Sequence, residues 1–367
     1  MNQKIFIGIA FLSLALWACD EGTGKNGTGS PPGNNNNNNN NNNPDWLIPT
    51  SEVFDGGPGK DGIPALTEPE FITAASADYL SENDLVLGFI NGPHIRAYPH
   101  DILDWHEIIN DQLGDLNISV TYCPLTGTGI GWNRELDGQV TTFGVSGLLY
   151  NSNLIPYDRG SNSNWSQMRL DCVFGKKIGT EIETFTLVET TWKTWKEMYP
   201  ATTVVSTNTG YDRSYGRYPY GSYRTDDLYL IFPVANRDSR LPNKDRVHGI
   251  VEAGNSKVYP LTLFGSEVTV IRDRFEEEDY VVVGNEADNF AVSFKLDAPE
   301  VSSLVFSPLQ DKYPVVMTDS EGNMWDVFGN ALSGPLVGTR LTPARSFMGY
   351  WFSFAAFYPE VAIYEHQ

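Results

Sequence analysis

Positive charge is what this chain has least of. Its 367 residues carry 25 Lys and Arg against 46 Asp and Glu, a formal net charge of −21. Nucleic-acid binding depends on clustered cations that neutralise phosphate, so this balance excludes it as a main role. Long apolar runs are also missing. The N-terminal run Ile5–Ala18 is too short to span a bilayer as a stable helix, and nothing after it resembles a membrane span. Histidine is scarce, with five in the chain, and the zinc spacing H-E-x-x-H is absent because Asn110 stands four residues after His106. The weak half-motif Gly144-Val145-Ser146-Gly147 has Leu148 where a nucleophile elbow needs its second Gly, which excludes that arrangement.

What is there begins with a leader. Residues 1–18 read as a signal peptide, with Lys4 before the apolar run and Cys19 directly after it. Leu16-Trp17-Ala18-Cys19 resembles a bacterial lipobox, so Cys19 is the expected lipidation site and its acyl chains the expected anchor, at about 0.8 kcal/mol per buried CH2. Residues 19–44, with their run of asparagines Asn34–Asn43, lack apolar content to offset ordering entropy and read as a tether. The expected location is the bacterial cell envelope, lipid-anchored and facing the periplasm or the outer surface, with the membrane as partner. In that oxidising setting Cys123 and Cys172 could form a disulfide.

The body is dense in aromatic and β-branched residues and broken often by Gly and Pro, which predicts short strands and loops. The expected class is α+β, mainly β. Strands are predicted at 85–91, 95–98, 118–122, 139–145, 202–206, 228–232 and 280–283. Helical signals lie in HDILDWHEIINDQ (100–112), TTWKTWKEMYP (190–200) and SFMGYWFSFAAFYP (346–359). LVLGFINGPHIRAYP (85–99) aligns with RVHGIVEAGNSKVYP (246–260), and the stretch 157–200 with 318–359, pairing Asp158 with Asp319 and Trp165 with Trp325. The expectation is two related tandem halves, 45–210 and a degenerate 245–367, joined by a Tyr/Arg-rich connector, 211–244. The second half lacks the CPLTGTG segment, which assigns any chemistry to the first.

Several long stretches, among them NGPHIRAYPHDILDWHEIIND (91–111), TYCPLTGTGIGW (121–132), FGVSGLLYNSNLIPYDR (143–159) and NWSQM (164–168), resemble the DUF3179 proteins, an uncharacterised bacterial and archaeal family. The likeness covers nearly the whole body. The family's usual segment is close to YCPLCGT. Here Thr126 stands at the second Cys, which argues against a dithiol redox site or a two-sulfur metal site.

The candidates for chemistry are Cys123, His106, Glu107 and Asp158. Cys123 ends an apolar run before a Gly-rich turn, and reads as a structural thiol, a disulfide partner, a ligand or a nucleophile. His106 and Glu107, expected in mid-helix, would serve proton transfer or metal binding, against the plainer reading of a His bonded to a backbone carbonyl. Asp158, with Arg159, Trp165, Ser166 and Gln167 within ten residues, makes a mixed polar set of the kind that lines pockets, although Asp in such loops most often closes an Asx-turn; Trp165, Ser166 and Gln167, with Asp61 and Tyr150, are the ligand-binding candidates. No spacing indicates a metal, and the cofactor is unknown. The tyrosines of 211–229 suit glycan stacking or packing across the halves equally. The leading expectation is a ligand-binding lipoprotein with a polar pocket in the first half near Cys123, His106, Asp158 and Gln167. The alternatives are a thiol or acid–base enzyme and a glycan-binding surface protein.

Overall fold

Gly92, at φ 55°, turns strand Leu85–Asn91 back onto His94–Pro99, with Gly88 opposite Ala97. In the computed structural model, which describes residues 46–365, this hairpin is the centre of one of seven sheets. The fold is mainly β. Its four α-helices among the described residues are short: α1 (His100–His106), α2 (Trp192–Met198), α3 (Pro299–Ser302) and α4 (Trp351–Phe357).

The hairpin's sheet has the order Val188–Thr191, Leu85–Asn91, His94–Pro99, Thr203–Val205, Phe71–Thr73. Thr203–Val205 lies parallel to His94–Pro99, so the chain needs a crossover to reach it, and α2 supplies that crossover. Thr191 caps α2 by accepting a hydrogen bond from the Thr194 N–H. The helix crosses directly over Gly88, where a Cβ would lie 2.2 Å from the Trp195 ring.

A second sheet has the order Ser346–Tyr350, Arg246–Glu252, Asn255–Pro260, Ala362–Ile363, again with a parallel strand beside the second strand of its hairpin. Here α4 makes the crossover, over Gly249, where a Cβ would lie 2.0 Å from the Phe354 ring. Beside each of these sheets stands an antiparallel meander. In the first half it is Ile108–Leu113, Leu116–Cys123 and Thr128–Asn133. In the second it is Thr269–Phe275, Glu278–Asn285 and Phe290–Lys295.

Each crossover helix packs on its own sheet and reaches into the other half. Trp192, Trp195 and Met198 of α2 share a core with Val86, Ala97 and Val188 of their own sheet and with Val281, Val283, Phe290, Phe294 and Trp325 of the second half. Trp351, Phe354 and Ala355 of α4 share one with Val247, Val258 and Phe347 of their own sheet and with Cys123, Trp132, Phe143 and Trp165 of the first half. Full burial of a large apolar side chain contributes about 1.5–3 kcal/mol, so these shared aromatics tie the halves into one compact unit.

Three sequence expectations are corrected. The helix expected over 100–112 ends at His106, and Ile108–Leu113 is a strand. Glu107 adopts φ 56° as the helix cap, and Gly114, at φ 62°, then lets Ile108–Leu113 pair along its whole length with Leu116–Cys123. The ladder outweighs the helical periodicity. Residues 139–145 divide into Gln139–Val140 and the start of Phe143–Tyr150. Residues 228–232 form no strand, and the connector's one regular element is the 3-10 turn Tyr223–Thr225.

Candidate ligand pocket and an adjoining ionic cluster

Strand Leu116–Cys123 delivers Cys123 into a tight turn in which the Gly127 N–H donates to the Cys123 carbonyl at 2.8 Å. Every residue from Thr121 to Ile130 is buried. Gly127 has φ 61°, and a Cβ there would lie 2.4 Å from Arg246 Nη1 and 3.1 Å from the Tyr350 ring. Its place in the motif therefore has two causes: the left-handed backbone and the close approach of the second half. The second half grips this turn, since Arg246 Nη1 donates to the Gly127 carbonyl at 2.6 Å and the Tyr350 N–H to the Thr126 carbonyl at 2.8 Å. Thr126 is fully buried in a polar network. Asn153 Nδ2 donates to Thr126 Oγ1 at 2.9 Å and to Gln167 Oε1 at 2.7 Å, and Gln167 Nε2 donates to Thr121 Oγ1 at 3.0 Å.

Next to the turn lies a cavity of about 260 Å³. Its walls are mostly apolar, with Ile63, Leu125, Val145, Leu149, Leu154 and Phe232 among them, and Glu107 is their one ionisable carboxyl. Glu107 is 7% exposed and is held at φ 56°, a conformation that a non-Gly residue adopts at a strain of about 1–3 kcal/mol. The turn is fixed on both sides: the Glu107 N–H donates to Leu103 O at 2.8 Å, and its carbonyl accepts from the Tyr122 N–H at 2.7 Å. Burial pushes the carboxyl up to about 8, against a smaller opposite effect from Tyr220, whose hydroxyl lies 3.5 Å from Oε1. At neutral pH this group is chiefly a neutral acid.

The connector closes over this region. Tyr218 Oη donates to the Pro124 carbonyl at 3.1 Å and Tyr223 Oη to the Leu125 carbonyl at 2.9 Å, while Tyr220 and Phe232 complete the cavity wall. Arg224 fastens the same segment to Asp104 at 3.0 Å. These tyrosine hydroxyls are engaged inside the molecule, whereas the rings of Tyr211 and Tyr229 are exposed.

On the other side of the turn, ionisable groups from both halves meet. Arg246 pairs with Glu189, and His100 Nε2 stands 3.5 Å from the second Glu189 oxygen. Burial pushes His100 down to about 4, so this approach is between a neutral ring and a carboxylate. Asp104 is raised to about 7, by burial first and in spite of Arg224. Four buried atoms here, His100 Nε2, Asp104 Oδ1, Glu189 Oε2 and Arg246 Nε, have no hydrogen-bond partner among the described residues. The sequence reading missed His100, Asp104, Glu189 and Arg246. No local signal joins them, because they come from three separate elements, α1, Val188–Thr191 and Arg246–Glu252.

The residues expected to act fall into separate places. His106 is buried, with Nδ1 2.7 Å from the Pro64 carbonyl and Nε2 2.7 Å from Tyr215 Oη. Burial lowers its pKa, the Pro64 contact opposing. Cys123 is fully enclosed, its Sγ 3.6 Å from the Ser152 carbonyl, and burial with the nearby Glu107 charge raises the thiol to about 11. The Cys123–Cys172 disulfide is not formed. Both are free, buried thiols, and Cys172 Sγ is turned to the Asn164 and Phe174 carbonyls. Asp158 is the buried hub of a turn, accepting from Ser161 Oγ at 2.6 Å and from Trp165 Nε1 at 3.0 Å.

Of the remaining candidates, Asp61 pairs with Arg159 at 2.7 Å on a half-open surface. Trp165 packs in the core against Trp132 and Phe143. Ser166 Oγ is buried without a partner among the described residues, and the Tyr150 ring packs edge-on to Phe357 at 5.3 Å. Glu107 is the one expected residue that faces the cavity, and the expected polar pocket is instead apolar around it. No group of three or more His, Cys, Asp or Glu among the described residues is arranged to hold a metal ion. Cys19 lies outside the described residues.

Among the described residues no helix is long and apolar enough to cross a membrane. Comparison with curated proteins and with solved structures gives no match. A family model described as "Protein of unknown function (DUF3179)" matches residues 60–361, almost all of the folded body that the pocket and the ionic cluster are built from, and the chain belongs to that family.

Proposed function

We propose that this protein binds a small, largely apolar ligand in the first-half cavity, and that it does so as a lipoprotein tethered to the cell envelope through Cys19. The observation that supports the binding reading is the cavity itself: about 260 Å³ of apolar wall with one buried carboxyl, Glu107, at a strained backbone position. Ligand sites are typically apolar concavities with a few fixed polar groups, and strain collects where structure serves function. A fluorescent apolar probe is expected to bind the mature protein and to lose binding when Val145→Trp fills the cavity. Binding that survives a folded Val145→Trp variant would place the probe elsewhere and overturn the reading.

The lipoprotein reading rests on Leu16-Trp17-Ala18-Cys19 and the tether behind it. Labelled palmitate is expected in the wild type and not in Cys19→Ala, with the variant released from the membrane fraction. Equal membrane retention of both would sink this part. A second reading, an acid–base enzyme, is favoured by the buried Glu107 carboxyl, which titrates near neutrality. It does not draw on Cys123, whose thiol burial holds protonated at neutral pH.

A further inference from the structure

We infer that the cavity selects neutral ligands bearing a hydrogen-bond acceptor, a ketone, ester or amide carbonyl on an apolar body, and that Glu107 is the donor that reads this group. The inference rests on the pocket reading above and adds to it the class of ligand.

It follows from counting polar groups on the wall. The side chains offering hydrogen bonds to the cavity are Glu107 and Tyr220, and Tyr220 Oη already lies 3.5 Å from Glu107 Oε1. Two ligand types could engage a lone carboxyl in such a place. An ammonium group would form an ion pair, but it carries three N–H donors. Beyond Glu107 the rest of the wall is Gly, Pro and aliphatic or aromatic side chains, apart from the Tyr220 hydroxyl. Donors left over would be desolvated without partners, and a buried ion pair is favourable only when its remaining hydrogen bonds are satisfied. A carbonyl oxygen asks for one or two donors, which the Glu107 O–H and the Tyr220 O–H can supply.

The electrostatics agree. No cation lines the cavity, so only the Tyr220 hydroxyl opposes the neutral form of Glu107 that burial favours. Size sets the other bound. A protein cavity of about 150 Å³ takes benzene, so about 260 Å³ suits a ligand of about ten non-hydrogen atoms. The left-handed backbone at Glu107, fixed by Leu103 and Tyr122, aims the carboxyl without a flexible loop.

The test uses three probes of one shape: acetophenone, α-methylstyrene (its carbonyl oxygen replaced by a methylene) and α-methylbenzylamine. Their binding to the full mature protein is compared by ligand-observed NMR or calorimetry. The ketone is expected to bind about five- to tenfold tighter than the hydrocarbon, the yield of one net hydrogen bond. Glu107→Gln, which keeps an N–H donor, is expected to retain most of that preference, and Glu107→Met to bring the ratio to about one. Hydrocarbon bound as well as ketone in the wild type overturns the ligand class while leaving the pocket reading intact. Amine bound tighter than ketone overturns it in favour of a carboxylate counter-ion. Failure of all three probes overturns this inference and the pocket reading together.

Discussion

The sheet around Leu85–Pro99 and the sheet around Arg246–Pro260 are alike in several contacts and differ in what adjoins them. Each has a Gly-turned hairpin flanked by two parallel outer strands, each crosses over with a seven-residue helix, and each places that helix on a hairpin Gly, Gly88 under Trp195 and Gly249 under Phe354. Each also closes a turn on an Asp that accepts from a Trp indole, Asp158 from Trp165 at 3.0 Å and Asp319 from Trp325 at 2.8 Å. The differences sit at two places. After His94–Pro99 the first half runs into α1 and Glu107, whereas after Asn255–Pro260 the second runs into the short turn Leu261–Leu263, with no ionisable side chain. Between the last two meander strands the first half has Cys123–Gly127, and the second a turn around Glu286–Asn289. The two variable places touch, through the Tyr122 N–H on the Glu107 carbonyl. The features peculiar to the first half thus lie together, in one corner of a frame whose other contacts recur.

The shared cores give the comparison its hardest test. Residues 45–210 and 245–367 produced separately are each expected to be unfolded, because each loses the half of two shared cores that the other supplies, a loss comparable with a total stability of about 5–15 kcal/mol. Dispersed NMR spectra from either fragment alone would show that the halves are independent after all. Next in size, Trp195→Ala and Phe354→Ala are expected to lower the unfolding free energy by about 3–5 kcal/mol each in urea titrations. In those backgrounds Gly88→Ala and Gly249→Ala, each strongly disruptive alone, should become nearly harmless. Undiminished costs in the double variants would mean that the helix contact is not what demands glycine. Smaller still, Asp158→Asn and Asp319→Asn should each cost about 1–2 kcal/mol, since each weakens one buried turn. A large effect at one and none at the other would break the equivalence.

The frame was legible in the sequence and the site was not, for physical reasons. The strands 85–91 and 95–98 announce themselves because hairpins are local, two short runs with apolar residues joined by a Gly turn. The aligned Tyr-Pro pairs, 98–99 and 259–260, do end matching strands. Glu107 was named, but on a helix, because periodicity in HDILDWHEIINDQ cannot show that a ladder with Leu116–Cys123 ends the helix at His106. The cavity could not be foreseen at all. Its walls come from residues as far apart as Ile63, Val145 and Phe232, brought together by the connector, which has almost no regular structure to predict. Asp158 and Gln167, read as pocket groups, turn inward because short polar side chains between closely spaced strands find backbone and hydroxyl partners first.

The smallest predicted effect separates the halves by pH. His100 in the first half and His248 in the second are both held neutral by burial, at about 4 and about 3. The unfolded chain protonates them below about 6.5, so their contribution is present above that pH and is lost as pH falls. Asp104 and Glu107 act in the opposite sense. They are raised to about 7 and about 8, so the fold keeps protons that the unfolded chain has released, and their contribution is lost as pH rises through those values. Between about 4.5 and 6.5 the two pairs oppose each other, each fully shifted group giving about 1.4 kcal/mol per pH unit. Above 6.5 the Glu107 carboxyl dominates, with Asp104 adding to it, while Lys244, lowered to about 8 by burial, acts in the opposite sense. Stability measured by urea unfolding should therefore fall between pH 7 and pH 8, with Glu107 responsible for about 1 kcal/mol. Glu107→Gln, which cannot ionise, should flatten that interval, whereas His248→Gln should leave it unchanged and reduce only the loss in acid. A slope between pH 7 and pH 8 that survives Glu107→Gln would mean that this carboxyl is not held neutral by its apolar walls, and the asymmetry between the halves would lose its electrostatic basis.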